Sequence, residues 1–308
     1  MPQYVDWLYV CPSLYYGIWQ DQDAFDTAFF FMEKQEFMIA RARENYHTHT
    51  YYCKNATGSV ADYCAAAVEK EMLILGISDH TPFPDNRWNQ ERMEYSQLQD
   101  YCDDIHRAQE KYPEIRILKS LECEYCPDLD AYYPDELLGK MELDYLVGAV
   151  HYFPFQGSWL YVFEETMNEK LLYLYAKHMI RTMETGYFSF MAHPDLFGMS
   201  YLSWNAAAES FTRDICSASK EYGVPLEINA SGFRKKKVLT PDGYRNKFPL
   251  VRFWEIASEY DVRYIANSDA HTPEDVDAKI VDAVKFAEQF NLKKAEFSFA
   301  RSTPVDLN

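Results

Sequence analysis

Six of the eight histidines in this chain lie at the ends of apolar, strand-like runs. They fall in five short segments, which are His47-Thr48-His49, Asp79-His80, His151, His193 and Asp269-Ala270-His271. Imidazoles this far apart along the chain can meet only if the fold brings successive strand ends to one rim, as parallel α/β barrels do. The pattern therefore predicts a parallel fold with a polynuclear metal site at that rim.

Apolar runs alternate with helix-like segments from residue 41 onward. Ser59 and Asp62 form a predicted capping box, which begins a helix that ends near Met72. A short first strand ends at His47 and His49, and further strands are predicted at 72–80, 115–125, 144–151, 187–193, 225–231 and 262–271. Helices are predicted at 96–111, 167–184, 205–222 and 249–260. Seven strands, each followed by a crossover, predict a closed or nearly closed parallel barrel.

The length of 308 residues and the apolar content of 48% are sufficient for one large domain, which we place at residues 41–308. Residues 1–40 form an aromatic-rich N-terminal extension without a helical or strand period. This extension either packs on the barrel or results from an upstream start codon, with Met32 or Met38 as the true start.

The charge balance argues against a nucleic-acid partner. The chain has 30 basic and 48 acidic residues, a net charge of −18, whereas binding to nucleic acid requires a cationic surface. We expect no membrane span, since no apolar run is long enough. The odd number of seven cysteines and the lack of a secretory signal predict a reducing cytoplasm. Cys123 and Cys126 have the spacing of a zinc knuckle, but no second pair exists and strand packing is favoured.

Pairs spaced by two residues are the best candidate ligands. His47 and His49 would share one face of a strand and could bind one ion, and Asp269 with His271 has the same spacing. Each pair alone could arise by chance, and the paired acids Glu122 and Glu124 could instead lie on a solvent-facing edge. Taken together, five strand ends with imidazole and carboxylate groups indicate zinc, iron or manganese.

The remaining polar candidates divide into structural and functional groups. A lone histidine after an apolar run, such as His151 or His193, is more typical of a hydrogen-bonded rim residue when considered alone. His106 and His178 lie inside predicted helices, and we assign them to the surface or core. The run 234–237 contains three lysines typical of a solvated loop, but Arg234 follows the sixth strand and is suited to bind a phosphoryl group.

The segments HTHT, SDH, LECEY, GAVHYF, AHPDL, INASGFR and NSDAH resemble, in order and spacing, the motifs of the PHP (polymerase and histidinol phosphatase) superfamily. INASGFR and NSDAH resemble those of its histidinol-phosphate phosphatases in particular. The resemblance covers about residue 41 to the C-terminus. It implies an α/β fold, a distorted (β/α)7 TIM-like barrel, with a metal site at the C-terminal strand ends.

The resemblance also implies ligand roles. One metal would be held by His47, His49, Glu122 and Asp269, and Glu122 would bridge to a second, held by His151 and His193. His80 and His271 would belong to a third site. The family often has a histidine eight residues after the first histidine of HTHT, where this chain has Asn55. Because an amide oxygen is a weaker ligand, we expect two or three divalent ions, the third weakened by Asn55.

The activity implied by the resemblance is hydrolysis of L-histidinol phosphate, a step of histidine biosynthesis, with metal-activated water and no phosphoenzyme. Glu122, Asp269, His80 and His271 would be catalytic, and Arg234 and Ser231 would bind the substrate. The alternative is a phosphoesterase acting on another small phosphorylated metabolite or on nucleic-acid ends. A metal-dependent amidohydrolase would usually have a bridging lysine where this chain has His151, and a non-catalytic descendant would have lost several ligands. Nothing in the sequence indicates an oligomeric state.

Overall fold

Parallel strands with their polar ends on one side form the core of the computed structural model, which describes residues 42–163 and 167–297. Apart from Ala42, these residues lie in one unit that begins at Arg43. The strands are β1 (Glu44–Asn45), β2 (Ile74–Ile77), β3 (Arg116–Glu124), β4 (Tyr145–Ala149), β5 (Tyr152–Phe155), β6 (Ser158–Tyr161), β7 (Phe190–Met191), β8 (Leu226–Asn229), β9 (Val238–Thr240), β10 (Gly243–Arg245), β11 (Arg263–Asn267) and β12 (Lys293–Lys294).

Eight of these strands form one parallel sheet in the order β1-β2-β3-β4-β7-β8-β11-β12. The other four form two antiparallel hairpins, β5–β6 and β9–β10. The helices are α1 (Val60–Glu69), α2 (Leu98–Lys111), α3 (Glu169–Glu184), α4 (Ala206–Tyr222), α5 (Ser231–Arg234), α6 (Val251–Ala257) and α7 (Ile280–Glu288), with a π-helix at Tyr132–Lys140. Because the ordered parallel strands follow one another around the sheet, their C-terminal ends form one rim.

The first and seventh strands of the sheet meet beyond their C-terminal ends. Thr48 and Ala270 form an isolated parallel bridge, in which the His49 N–H donates to the Ala270 carbonyl at 2.9 Å. Nearby, Asn45 Nδ2 donates to Ser268 Oγ at 2.7 Å, and β12 pairs only with the first residues of β11. These contacts link β1 to β11 and give the predicted distorted, TIM-like barrel.

Side chains of the central strands alternate between two apolar clusters. Tyr145 and Val147 of β4 pack with Tyr46, Phe190 and Ile265 from other strands, which places them inside the barrel. Leu146, between them in sequence, packs in the larger cluster that also holds the buried residues of α1 and α2. A strand buried on both faces must be apolar throughout, which explains why β4 has no polar residue except the Tyr145 hydroxyl.

The predicted elements agree well with the observed ones. Each of the seven predicted strands contains one observed strand, and all five predicted helices are present. The Ser59–Asp62 capping box is formed, but α1 ends before Met72 because the chain turns at Glu71, whose φ is 56°. The two hairpins, α7, β12 and the π-helix were not predicted. The predicted extension at residues 1–40 lies outside the described residues, and no helix that the structure describes could cross a membrane.

Gly76 on β2 lies where a side chain cannot fit. A Cβ atom there would lie 1.9 Å from the Tyr145 hydroxyl oxygen and 2.9 Å from Tyr46 Cα. We expect Gly76→Ala to lower the free energy of unfolding by about 1–3 kcal/mol, the usual cost of overpacking a core, as measured by urea denaturation. Tyr145→Phe removes the nearest atom, so Gly76→Ala should cost less in that background; equal costs in both backgrounds would contradict this packing.

Candidate metal centre

The structure brings all eight predicted metal ligands into one cluster at the C-terminal rim of the barrel. His47 and His49 follow β1, His80 follows β2, and Glu122 lies on β3. The others follow later strands of the sheet; they are His151 after β4, His193 after β7, and Asp269 and His271 after β11. Each position therefore results from the same local rule, a polar residue where a buried parallel strand ends.

Five imidazoles form a closed ring around the Glu122 carboxylate. Neighbouring ring centroids are 4.6–6.0 Å apart in the order His47, His49, His80, His151, His193 and back to His47. Glu122 itself is only 1% exposed. Its Oε1 lies 3.0 Å from His193 Nε2, and its Oε2 lies 2.9 Å from His80 Nδ1. The two carboxylate oxygens thus face different histidines, which is the arrangement required of a bridging ligand.

The second carboxylate of the cluster, Asp269, follows β11 and lies beside the bridge between Thr48 and Ala270. Its Oδ1 is 3.2 Å from His49 Nε2 and 3.5 Å from His271 Nδ1. His271 has the most exposed side chain of the eight, at 37%. Both Asp269, with a φ of 50°, and His193, with a φ of 28°, have left-handed backbone conformations, which are costly for residues other than glycine and often occur at functional sites.

A second set of buried side chains orients these ligands. The ring Nδ1 of His47 donates to Glu227 Oε1 at 2.8 Å, and the backbone N–H of His193 donates to Glu227 Oε2 at 2.9 Å. His151 Nδ1 donates to Glu124 Oε1 at 2.7 Å, and Arg92 pairs with the other Glu124 oxygen at 3.0 Å. Because these bonds use the Nδ1 atoms of His47 and His151, their Nε2 atoms are free to bind a cation.

The donor set fits divalent transition metals. Two nitrogens bound to one zinc ion at about 2.1 Å lie roughly 3.0–3.4 Å apart, and His47 Nε2 and His49 Nε2 are 3.0 Å apart. His80 Nδ1 and Glu122 Oε2 are buried 2.9 Å apart, but their angles do not suit a hydrogen bond and neither atom has another partner among the described residues. Ligand atoms of His47, His49 and Glu122, and of His80, Glu122 and His151, lie within 4.8 Å of one another. A further such group, His49, His80 and His271, contains both residues predicted for the third site.

Burial and neighbouring charges shift the pKa values of the clustered side chains in different directions. Burial is the main cause that lowers the pKa of both His49 and His80 to about 4, so both imidazoles are neutral at pH 7. Burial alone would raise the pKa of Glu122, but the positive charges of His47 and His151 hold it well below its usual range. The pKa values of these two histidines are raised, because the neighbouring carboxylates outweigh the effect of burial. A neutral imidazole and an ionised carboxylate are the states that donate electron pairs to a metal, so a bound cation would release the protons of His47 and His151.

A cleft of about 160 Å³ opens above the cluster. Ser231 lines it and donates to Asp269 Oδ2 at 3.1 Å, and the exposed Asn55 lines it as well. Arg234 does not line it, because its guanidinium donates to the Ser268, Ala278 and Asp269 carbonyls. This geometry does not support the predicted phosphate contact of Arg234. Lys235 is exposed, as expected of a solvated loop, and it also lines the cleft.

Several residues that shape the site were not found from the sequence. Glu227 is fully buried on β8, and a lone acid inside the apolar run of that strand was the available signal. Cys53 accepts from the His80 N–H at 3.0 Å and lies 3.1 Å from His49 Nδ1. Glu91 and Tyr161 also line the cleft; Glu91 lies on a loop and Tyr161 on the β5–β6 hairpin, and neither segment has the hydrophobic periodicity that would predict its position. The two remaining histidines agree with expectation, because the His106 side chain is 71% exposed and His178 is buried.

Comparison with known proteins identifies the family. Residues 45–231 match the model of the PHP domain. The chain belongs to the PHP domain family. This match confirms the resemblance inferred from the strand-end motifs.

Two curated relatives of this PHP domain protein are named "Probable histidinol-phosphatase". The protein from Deinococcus radiodurans is 27% identical over 252 residues, which cover 78% of this chain and 90% of that protein. The protein from Schizosaccharomyces pombe is 25% identical and covers 75% of this chain and 81% of its own length. The fold matches the crystal structure of histidinol phosphate phosphatase from Lactococcus lactis, solved with zinc, L-histidinol and phosphate. The two structures superpose with a TM-score of 0.67 and 14% sequence identity, and the match covers 85% of this chain and 99% of the Lactococcus lactis chain.

Glu227 offers a test of whether the buried side chains around the ligands hold them in place. Glu227→Gln keeps the shape of the side chain but replaces one acceptor by a donor, which cannot pair with His47 Nδ1–H and the His193 N–H together. We expect metal affinity to fall about 10- to 100-fold, the usual cost of losing such a partner, when measured by competition with a chelator. Glu94→Gln, at a half-exposed side chain that pairs with Lys54, is the control. Unchanged affinity in Glu227→Gln would show that this carboxylate does not support the ligands.

Proposed function

We propose that this PHP domain protein is a metal-dependent phosphomonoesterase that hydrolyses L-histidinol phosphate to L-histidinol and phosphate. The observation that carries the proposal is the closed imidazole ring around Glu122, which lies at the base of a cleft in a PHP-type barrel. The names of the curated relatives and the histidinol complex of the Lactococcus lactis protein support the substrate.

The proposed centre holds two divalent ions, with a third near His80 and His271. His47, His49, Glu122 and Asp269 would hold the first ion, and Glu122, His151 and His193 the second. When bound, such ions lower the pKa of water and neutralise charge on the phosphoryl oxygens. Asn55 lines the cleft, and because an amide oxygen is a weaker ligand than imidazole for these metals, the third ion would be the weakest.

The residues of this chain have distinct parts in the proposed reaction. A water oxygen attacks phosphorus, and the bond from phosphorus to the substrate alkoxide oxygen breaks. The leaving alkoxide takes up a proton, which His271 at the cleft surface would donate when the weak third site is empty; His80, which is neutral at pH 7, would not donate it. Ser231, held by Asp269, and Lys235 would contact the phosphoryl oxygens.

Metal content and turnover should depend together on Glu122. We expect purified protein to hold at least two transition-metal ions per chain and to lose phosphatase activity after chelation, as measured by metal analysis and phosphate release. Glu122→Gln removes the negative charge that two cations would share, so metal occupancy and turnover should both fall by about 10- to 100-fold or more. Full activity of metal-free protein, or normal metal content in Glu122→Gln, would overturn the proposal.

Lys235 and Arg234 should behave differently when each is changed to alanine. Lys235→Ala removes a cation from the cleft, so kcat/KM should fall about tenfold or more for every phosphomonoester, while metal content stays constant. Arg234→Ala removes three hydrogen bonds to backbone carbonyls, so it should mainly lower the free energy of unfolding. A loss of phosphate-ester turnover in a fully stable Arg234→Ala variant would instead show that Arg234 contacts the substrate.

A further inference from the structure

Two opposite charges in the cleft wall have no ion-pair partner in the part of the chain that the structure describes. Five charged side chains line the cleft, and three of them are accounted for, since Arg92 pairs with Glu124 while Glu122 and Asp269 contact histidines. Glu91 and Lys235 make no ion pair with each other or with any other residue in 42–163 and 167–297. A cleft with one uncompensated anion and one uncompensated cation is complementary to a ligand that carries both charges.

Glu91 is held in place by a residue from another part of the barrel. It lies on the loop after β2, and the Tyr161 hydroxyl of β6 donates to its two carboxylate oxygens at 3.1 and 3.3 Å. Both residues are partly buried and line the cleft. A hydroxyl donor stabilises the ionised carboxylate without neutralising its charge, so Glu91 stays available to a cation.

The opposite charge comes from a different sector of the rim. Lys235 follows β8, the sixth strand of the sheet, whereas Glu91 and Tyr161 follow the second and fourth strands. Phe163 and Phe248 also line the cleft; the Phe163 ring lies 5.0 Å from the Tyr161 ring, and the Lys235 ammonium lies 5.9 Å from the Phe248 ring centroid. Aromatic faces accommodate a flat or cationic group and exclude water from it.

We propose that Glu91, positioned by Tyr161, binds the cationic end of the substrate and makes the enzyme selective for phosphomonoesters that carry an ammonium or imidazolium group. The inference rests on the proposed phosphatase function and deepens it. The phosphoryl group lies at the metal centre and Lys235, and the protonated nitrogen lies at Glu91. Glu91 is a specificity residue and Tyr161 a positioning residue, and neither takes part in the cleavage of the phosphorus–oxygen bond.

The kinetic test compares two substrates that differ in charge. L-Histidinol phosphate carries a cationic group, whereas p-nitrophenyl phosphate carries none. Glu91→Gln should raise KM for L-histidinol phosphate roughly 10- to 100-fold, the range expected for a lost charge-assisted contact, with kcat little changed. The same variant should keep the wild-type kcat/KM for p-nitrophenyl phosphate. Tyr161→Phe keeps the carboxylate but loses its hydrogen bond, so it should raise KM for the cationic substrate by a smaller factor.

A binding measurement removes the dependence on turnover. L-Histidinol contains the cationic groups but no phosphate, so calorimetric titration of the metal-loaded protein with it reports on Glu91 directly. Glu91→Gln should weaken its binding by the same factor as the rise in KM. Glu94→Gln removes a negative charge from the same loop at a residue that does not line the cleft, and it should leave both measurements unchanged. Circular dichroism and metal analysis establish that each variant is folded and loaded.

The outcomes separate this inference from the proposed function. Equal losses on both substrates in Glu91→Gln would show that the Glu91–Tyr161 contact only holds the cleft wall together, which overturns the inference and leaves the phosphatase intact. An unchanged KM for L-histidinol phosphate would also overturn it. Wild-type protein that hydrolyses p-nitrophenyl phosphate but shows no preference for L-histidinol phosphate would overturn both the inference and the proposed substrate. Protein that hydrolyses neither ester would overturn the phosphatase function as a whole.

Discussion

A buried carboxylate among imidazoles is the constraint on which the rest of the structure depends. Glu122 is almost fully excluded from water, and so are the histidines around it. Such a group is stable only where other charges compensate it, because burying an isolated charge costs far more than one domain's folding free energy can supply. The barrel must therefore bring five strand ends together within a few ångströms, and the orienting acids Glu227 and Glu124 must hold the imidazoles there.

The fold could be predicted because its signals are local and repeated. A parallel strand buried on both faces must be apolar until it reaches the rim. Each apolar run in the sequence therefore predicts both a strand and the residue at which that strand ends. Ser59 and Asp62 likewise mark the start of α1 through bonds within one turn. The β5–β6 hairpin was missed because Pro154 interrupts its first strand and the tight turn at Gln156 and Gly157 lies between unusually aromatic segments. The short β12 consists of two lysines that carry no strand pattern.

The site divides along the same line. The clustering of the candidate ligands at strand ends could be predicted, since the direction of a strand determines where its last residues lie. The choice between Arg234 and Lys235 as the cation that lines the cleft could not be made correctly from the sequence. It depends on hydrogen bonds from Arg234 to the carbonyls of Ser268 and Ala278, which lie far along the chain. The position of Glu91 in the cleft wall could not be predicted for a related reason, since it follows from a hydrogen bond donated by Tyr161 of the β5–β6 hairpin. Tertiary contacts of this kind have no sequence period.

The seam between Thr48 and Ala270 has a consequence for the order in which the protein matures. The first ligand-bearing strand closes against the last one, and Asn45 meets Ser268 across 223 residues. During synthesis, the two histidines after β1 emerge long before Asp269 and have no carboxylate from the seam beside them. The complete ligand set can therefore assemble only after nearly the whole barrel has been made. Loading of the proposed metal centre would be a late event that reports on completed folding, and a partly folded chain would expose its apolar strands before an ion could stabilise it.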